Sequence, residues 1–127
     1  MNRNRISSKT RDTVPAVAVK SAQAWLATLD SSSYSKAWED SAASMHSCIS
    51  RTDFEKSMQS DRIPLGKMKS REIKIQRHLR SVPWTGKDTA IISYITTFEN
   101  KTNVPEGIVL ALDPDGIWRV EGYILPC

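Results

Sequence analysis

The chain has 127 residues, of which 39% are hydrophobic and 25% charged, a composition that fits one globular domain and argues against a disordered or low-complexity chain. Lys and Arg number 18 against 14 Asp and Glu, a net charge of +4. Arg3, Arg5, Lys9 and Arg11 alone account for that excess, so the remainder is close to neutral, which speaks against a nucleic-acid binder, whose excess belongs on the folded surface.

Residues 1–12 are polar and basic and read as a flexible arm, with residues 13–127 forming a single domain. No apolar run approaches the roughly 18 residues of a membrane span. The basic start resembles the first region of an export signal, but the apolar stretch Val14 to Val19 is short and contains Pro15. The chain as written is expected in the cytoplasm, and an exported form would need a trimmed N-terminus. Cys48 and Cys127 are expected to be separate reduced thiols, since one pair is no disulfide framework and a terminal residue frays.

Pro15 suits the start of a helix, and Ala18, Ala22, Trp25, Leu26 and Leu29 then make one apolar stripe at helical spacing. Asp30-Ser31-Ser32-Ser33 stops this helix and can cap the next. The second helix starts near Tyr34, with Tyr34, Ala37, Trp38, Ser41 and Met45 on one face and an end blurred by Ser44, Ser47, Cys48 and Ser50. Ser50 with Asp53, or Thr52 with Glu55, has capping-box spacing for a third helix. Phe54 and Met58 mark its inner face, and Pro64 and Gly66 end it.

The period then changes from that of a helix to that of a strand. Strands are expected over Met68 to Leu79, Thr89 to Glu99, Val104 to Leu112 and Ile117 to Leu125. Ser81 to Asp88 is a loop, and Asn100 to Asn103 a turn. Asp113-Pro114-Asp115-Gly116 suits a type I turn followed by a left-handed glycine, which gives a three-residue hairpin loop with a bulge. That register sets Leu112 opposite Trp118, Leu110 opposite Val120 and Ile108 opposite Gly122, with Tyr123 across from Gly107. The whole reads as an α+β chain, about three N-terminal helices packed on a curved four-stranded antiparallel sheet.

Local strings add to this reading. Ala24-Trp25-Leu26, Tyr34 with Trp38, Arg62-Ile63-Pro64-Leu65-Gly66, Ser70-Arg71, Thr97-Phe98-Glu99-Asn100-Lys101, Glu106, and Asp115-Gly116-Ile117-Trp118-Arg119-Val120 with Gly122-Tyr123 resemble the bacterial family called domain of unknown function 4019. The resemblance covers roughly residues 20 to 125. It implies the cone-shaped fold of domains resembling nuclear transport factor 2, and it implies no activity, because that fold hosts both enzymes and binding modules.

Few residues suggest chemistry. His46-Ser47-Cys48 offers two ligand types without the further pair a zinc site needs, so no metal and no cofactor is expected. Neither a nucleophile elbow nor a phosphate loop is present. Glu106 shares a strand face with Ile108, Leu110 and Leu112, where a carboxylate can have a raised pKa and act as a general acid or base. Its structural alternatives are a place at the strand end, an exit to solvent, or a pairing with an Arg such as Arg62 or Arg71, and Tyr94 and Tyr123 could donate into the same space. Lys67, Lys69, Arg71, Lys74, Arg77 and Arg80 form a basic run that reads as the guard of an edge strand, or as an anion contact together with the arm. Trp84 sits on a loop, either exposed for contact or folded back onto one end of the cone.

The expectation is a non-catalytic binding module that pairs with itself through its sheet and holds a small apolar ligand between helices and sheet. Trp25, Tyr34, Trp38, Arg62, Arg71, Tyr94, Glu106, Trp118 and Tyr123 are the candidate cavity residues. The alternatives are an isomerase- or hydrolase-like enzyme using Glu106, and an anion-binding protein.

Overall fold

The computed structural model describes residues 13–126; the arm expected over residues 1–12, and Cys127 with its thiol, lie outside them. Helix α1 (Ala16–Asp30) buries Ala18, Ala22, Trp25, Leu26 and Leu29, the stripe its sequence spacing predicts. Two short helices follow, α2 (Tyr34–Glu39) and α3 (Ala43–Cys48), then α4 (Arg51–Arg62) and a 3-10 turn (Ile63–Leu65). Ser50 caps α4, its hydroxyl accepting from the Asp53 amide at 3.1 Å, as one of the two capping-box spacings predicts.

The single second helix expected from Tyr34 onward is two helices, and the reason is a carbonyl already in use. In a continuous helix the Ala37 carbonyl would accept from the Ser41 amide. It accepts instead from the Trp25 indole at 2.8 Å and the Ser41 hydroxyl at 2.7 Å. The Ser41 amide falls back to the Trp38 carbonyl at 3.1 Å, and the Ala42 amide leaves the helix for the Val120 carbonyl at 2.7 Å. Helix α3 restarts beyond that tie.

The sheet is antiparallel in the order β1-β2-β3-β4, with β1 (Met68–Leu79), β2 (Thr89–Phe98), β3 (Lys101–Leu112) and β4 (Trp118–Ile124). The turn expected over Asn100–Asn103 is tighter, since β3 already starts at Lys101. Strand β2 shows period-2 burial, with Ala90, Ile92, Tyr94, Thr96 and Phe98 inward. Ala90, Ile92 and Tyr94 join Leu26, Leu29, Ile108, Leu110, Trp118 and Val120 in the core. Trp84 is 70% exposed on the loop before β2, so it does not fold back onto the domain.

The closing hairpin has the predicted turn. The Gly116 amide donates to the Asp113 carbonyl, Asp113 pairs back to the Ile117 carbonyl, and Gly116 is left-handed at φ 83°. Leu112 faces Trp118 and Leu110 faces Val120 as expected. Beyond that the expected register fails. A register shift leaves Glu121 as an extra residue, so Val109 pairs with Gly122, Ile108 with Tyr123 and Gly107 with Ile124. It is Ile124, not Tyr123, that covers Gly107. The bulge turns Tyr123 from the outer to the inner face, the re-aiming such insertions produce.

Candidate functional site

Six side chains from six elements meet behind the end of α1. Asp30 is the last residue of α1 and Arg62 the last of α4, while Arg71, Thr96, Glu106 and Tyr123 come from β1, β2, β3 and β4. The Arg71 guanidinium is the hub. Its Nη1 and Nη2 donate to Asp30 Oδ2 at 2.8 Å and Oδ1 at 3.1 Å, and its Nε donates to Glu106 Oε1 at 2.8 Å. Arg62 Nη2 donates to Asp30 Oδ1 as well. Glu106 Oε1 also accepts from the Thr96 hydroxyl at 2.6 Å, and Oε2 accepts from the Tyr123 hydroxyl. The Glu106 side chain is 0% exposed, so both its oxygens are satisfied inside the protein.

The charges balance, two guanidiniums against two carboxylates. Burial alone would raise the Asp30 carboxyl, but hydrogen bonds from Arg71 and Arg62 outweigh it and hold Asp30 below its usual value. Burial works against the Arg71 charge too, and the hydrogen bonds to Asp30 and Glu106 overcome it, raising that group. Burial, followed by the Glu106 charge, lifts the Tyr123 phenol well above its ordinary value, so it stays a donor. The Tyr94 phenol is pushed up to about 12, mainly by burial.

Glu106 is thus an acceptor held by Arg71, one of the structural alternatives that the sequence offered. Arg71 leaves the basic run of β1, because its pairing partner Thr96 is an inward residue of β2. Asp30 escaped the sequence reading, which took it as a helix stop. A signal existed: a carboxylate at a helix C-terminus meets the negative end of the dipole, so cations from elsewhere are needed to favour it there.

The nine candidate cavity residues do not share one cavity. Trp25 and Trp118 border a groove of about 400 Å³ beside Lys36 and Asp40. Tyr34 and Arg62 line a cleft of about 240 Å³, and Arg71 and Tyr94 another of about 250 Å³, with Asp30 in both walls. Glu106, Tyr123 and Trp38 line none of these three. The Trp38 indole donates to the Ile49 carbonyl at 2.9 Å and stacks on His46, whose Nε2 lies 2.6 Å from the Trp38 carbonyl.

The family described as Protein of unknown function (DUF4019) matches residues 21–123. The chain belongs to the DUF4019 family. The DUF4019 match runs from α1 into β4 and takes in the whole cluster of Asp30, Arg62, Arg71, Thr96, Glu106 and Tyr123. No curated protein and no solved structure matches the chain.

Proposed function

We propose that this DUF4019 chain is a small non-catalytic binding module with the cone shape of the nuclear transport factor 2-like domains. Two copies pair through the outer face of the sheet, and a small apolar ligand enters between helices and sheet.

The observation that carries the pairing is the cross-strand row Ile75, Ser93, Gly107 and Ile124. It lies on the face opposite the core, and Ile75 and Ile124 are 54% and 60% exposed. Apolar ends with small residues between them let a second sheet approach closely. Arg77 and Glu72 flank the row on β1, opposite Ile91 and Ile95, each two residues from Ser93. A two-fold axis along the row would bring Arg77 of one copy over Glu72 of the other, the self-complementarity a symmetric interface requires. The basic run of β1 lies on an edge strand, where charge guards against unwanted pairing.

The non-catalytic reading rests on Glu106. A general acid or base must reach the proton it moves, and this carboxylate is enclosed and accepts from Arg71, Thr96 and Tyr123. Light scattering tests the pairing. The chain is expected to have a dimer mass, Arg77→Glu to weaken it, and Glu72→Arg added to Arg77→Glu to restore it. A monomer mass at high concentration would overturn the proposal.

A further inference from the structure

Trp84 is the most exposed large apolar side chain among the described residues, at 70%, and the loop that carries it is tied down. The Val82 amide donates to the Lys87 carbonyl at 3.0 Å and the Gly86 amide to the Val82 carbonyl at 2.7 Å. Asp88 braces the base of the loop: its Oδ1 accepts from the Ser81 amide at 3.0 Å, and its Oδ2 lies 3.1 Å from His78 Nε2. Val82 is buried, while Ser81 is left-handed at φ 44°, a conformation uncommon outside glycine. Strain that the surrounding structure holds in place is a pointer to use. What this loop achieves is to keep one indole in a fixed place outside the core.

The surroundings decide what that indole can meet. Val82-Pro83-Trp84-Thr85-Gly86 carries no charge, and a cation stands on either side, Arg80 before it and Lys87 after it. Lys69, Lys74 and Arg80 are exposed on β1 and just past its end, against one exposed acid, Glu72, which Lys74 meets at 3.2 Å. The Val14 amide donates to Gln76 Oε1 at 3.3 Å, which roots the preceding stretch, with Arg3, Arg5, Lys9 and Arg11, on the same strand. Trp84 lies eight residues past Gln76, so it is within about 28 Å of it, and twelve residues can reach about 40 Å. The cations of residues 1–12 can therefore stand in one plane with the indole.

Size separates the possible partners. A specific protein interface buries about 800 Å² on each side, whereas one aromatic side chain offers about 150–250 Å². The headgroup layer of a bilayer needs no matching shape, favours an amphipathic indole, and attracts basic segments where its lipids are anionic. We propose that the Trp84 loop and the basic edge along β1 dock the chain on an anionic lipid surface. The indole enters the headgroup layer, and Arg80 and the cations of residues 1–12 lie against lipid phosphates, the two kinds of attachment that stable peripheral binding takes. This goes beyond the pairing proposed above and uses neither Ile75 nor Arg77, so either proposal can fail alone.

The test is co-sedimentation of the full chain with vesicles of phosphatidylcholine, with and without about 30% phosphatidylserine, at about 0.1 and 0.5 M salt. Binding is expected on the anionic vesicles, at least tenfold weaker on the neutral ones, and reduced at the higher salt. Trp84 alone of the four tryptophans is exposed, so its emission should move to shorter wavelength on binding. Trp84→Ala, which leaves the core untouched, should lose that shift and about tenfold in affinity. Arg80→Gln should lose about fivefold on anionic vesicles and nothing on neutral ones. Unchanged binding of Trp84→Ala, or emission that does not move, would overturn the proposal. So would retention by polyuridylate or polyglutamate without binding to vesicles, which would make the basic edge a contact for nucleic acid or acidic protein, or no binding to vesicles at all.

Discussion

Tyr94 and Tyr123 both bring a phenol to the inner face of the sheet, and only Tyr123 has a partner there. Their phenylalanine variants should therefore differ in sign. Tyr123→Phe leaves the buried Glu106 with one donor fewer, at a cost of about 1–3 kcal/mol. Tyr94→Phe removes an unmet polar group and should be neutral or stabilising by up to about 1 kcal/mol. Urea denaturation reads both. Asp30 gives a dependence on pH. Its folded pKa lies below the ordinary 3.8, so its contribution is present above that value and is lost as pH falls through the lower folded one. Urea midpoints should drop in acid, and less steeply in Asp30→Asn, which has no proton to gain at that site. The inward face of Glu106 was legible from period-2 spacing, and Arg71 stood among its expected partners. Asp30 was not legible, because its partners Arg62 and Arg71 lie 32 and 41 residues along the chain.

Most elements follow from local pattern, and the exceptions occur where one element borrows a backbone group from another. The break between α2 and α3 needs the Trp25 indole from α1 and the Val120 carbonyl from β4, and neither is encoded near Asp40. The Glu121 bulge is similar. An unbroken alternation of Trp118, Val120, Gly122 and Ile124 is what the sequence suggests, and the shift is visible only once Tyr123 has Glu106 and Trp25 to pack against. Turns carry their own signals, and two glycines separate the causes. Gly116 is left-handed with no atom within 4 Å of where a Cβ would sit, whereas at Gly66, also left-handed, a Cβ would lie 2.8 Å from Glu99 Cβ. Gly116→Ala should cost about 1 kcal/mol, from backbone conformation alone. Gly66→Ala adds a clash between the end of the 3-10 turn and the turn that follows β2, and its thermal midpoint should fall further.

At the scale of the molecule, helices cover one face of the sheet and the other is left apolar at its centre and charged at its margins. The interior ion cluster sums to zero and should act chiefly as a lock between α1, α4 and the sheet. Replacing Arg71 by Met should cost about 3–5 kcal/mol, the loss expected when one partner of a buried pair is removed and the others are left charged; calorimetry checks it. The outer face is where the proposed pairing would take place. The α+β order and the antiparallel sheet were readable from the change of period after Gly66. The row Ile75, Ser93, Gly107 and Ile124 was not readable, since it draws on four strands and two register shifts, and the sequence offered only an expectation of pairing through the sheet. The most direct measurement is sedimentation equilibrium of Ile75→Lys beside Ile63→Lys, a control equally exposed at 62% but on the helical side. The account predicts that the unaltered chain and Ile63→Lys are dimers while Ile75→Lys is a folded monomer. A dimer that survives Ile75→Lys, or an unaltered chain that sediments as a monomer, would contradict it.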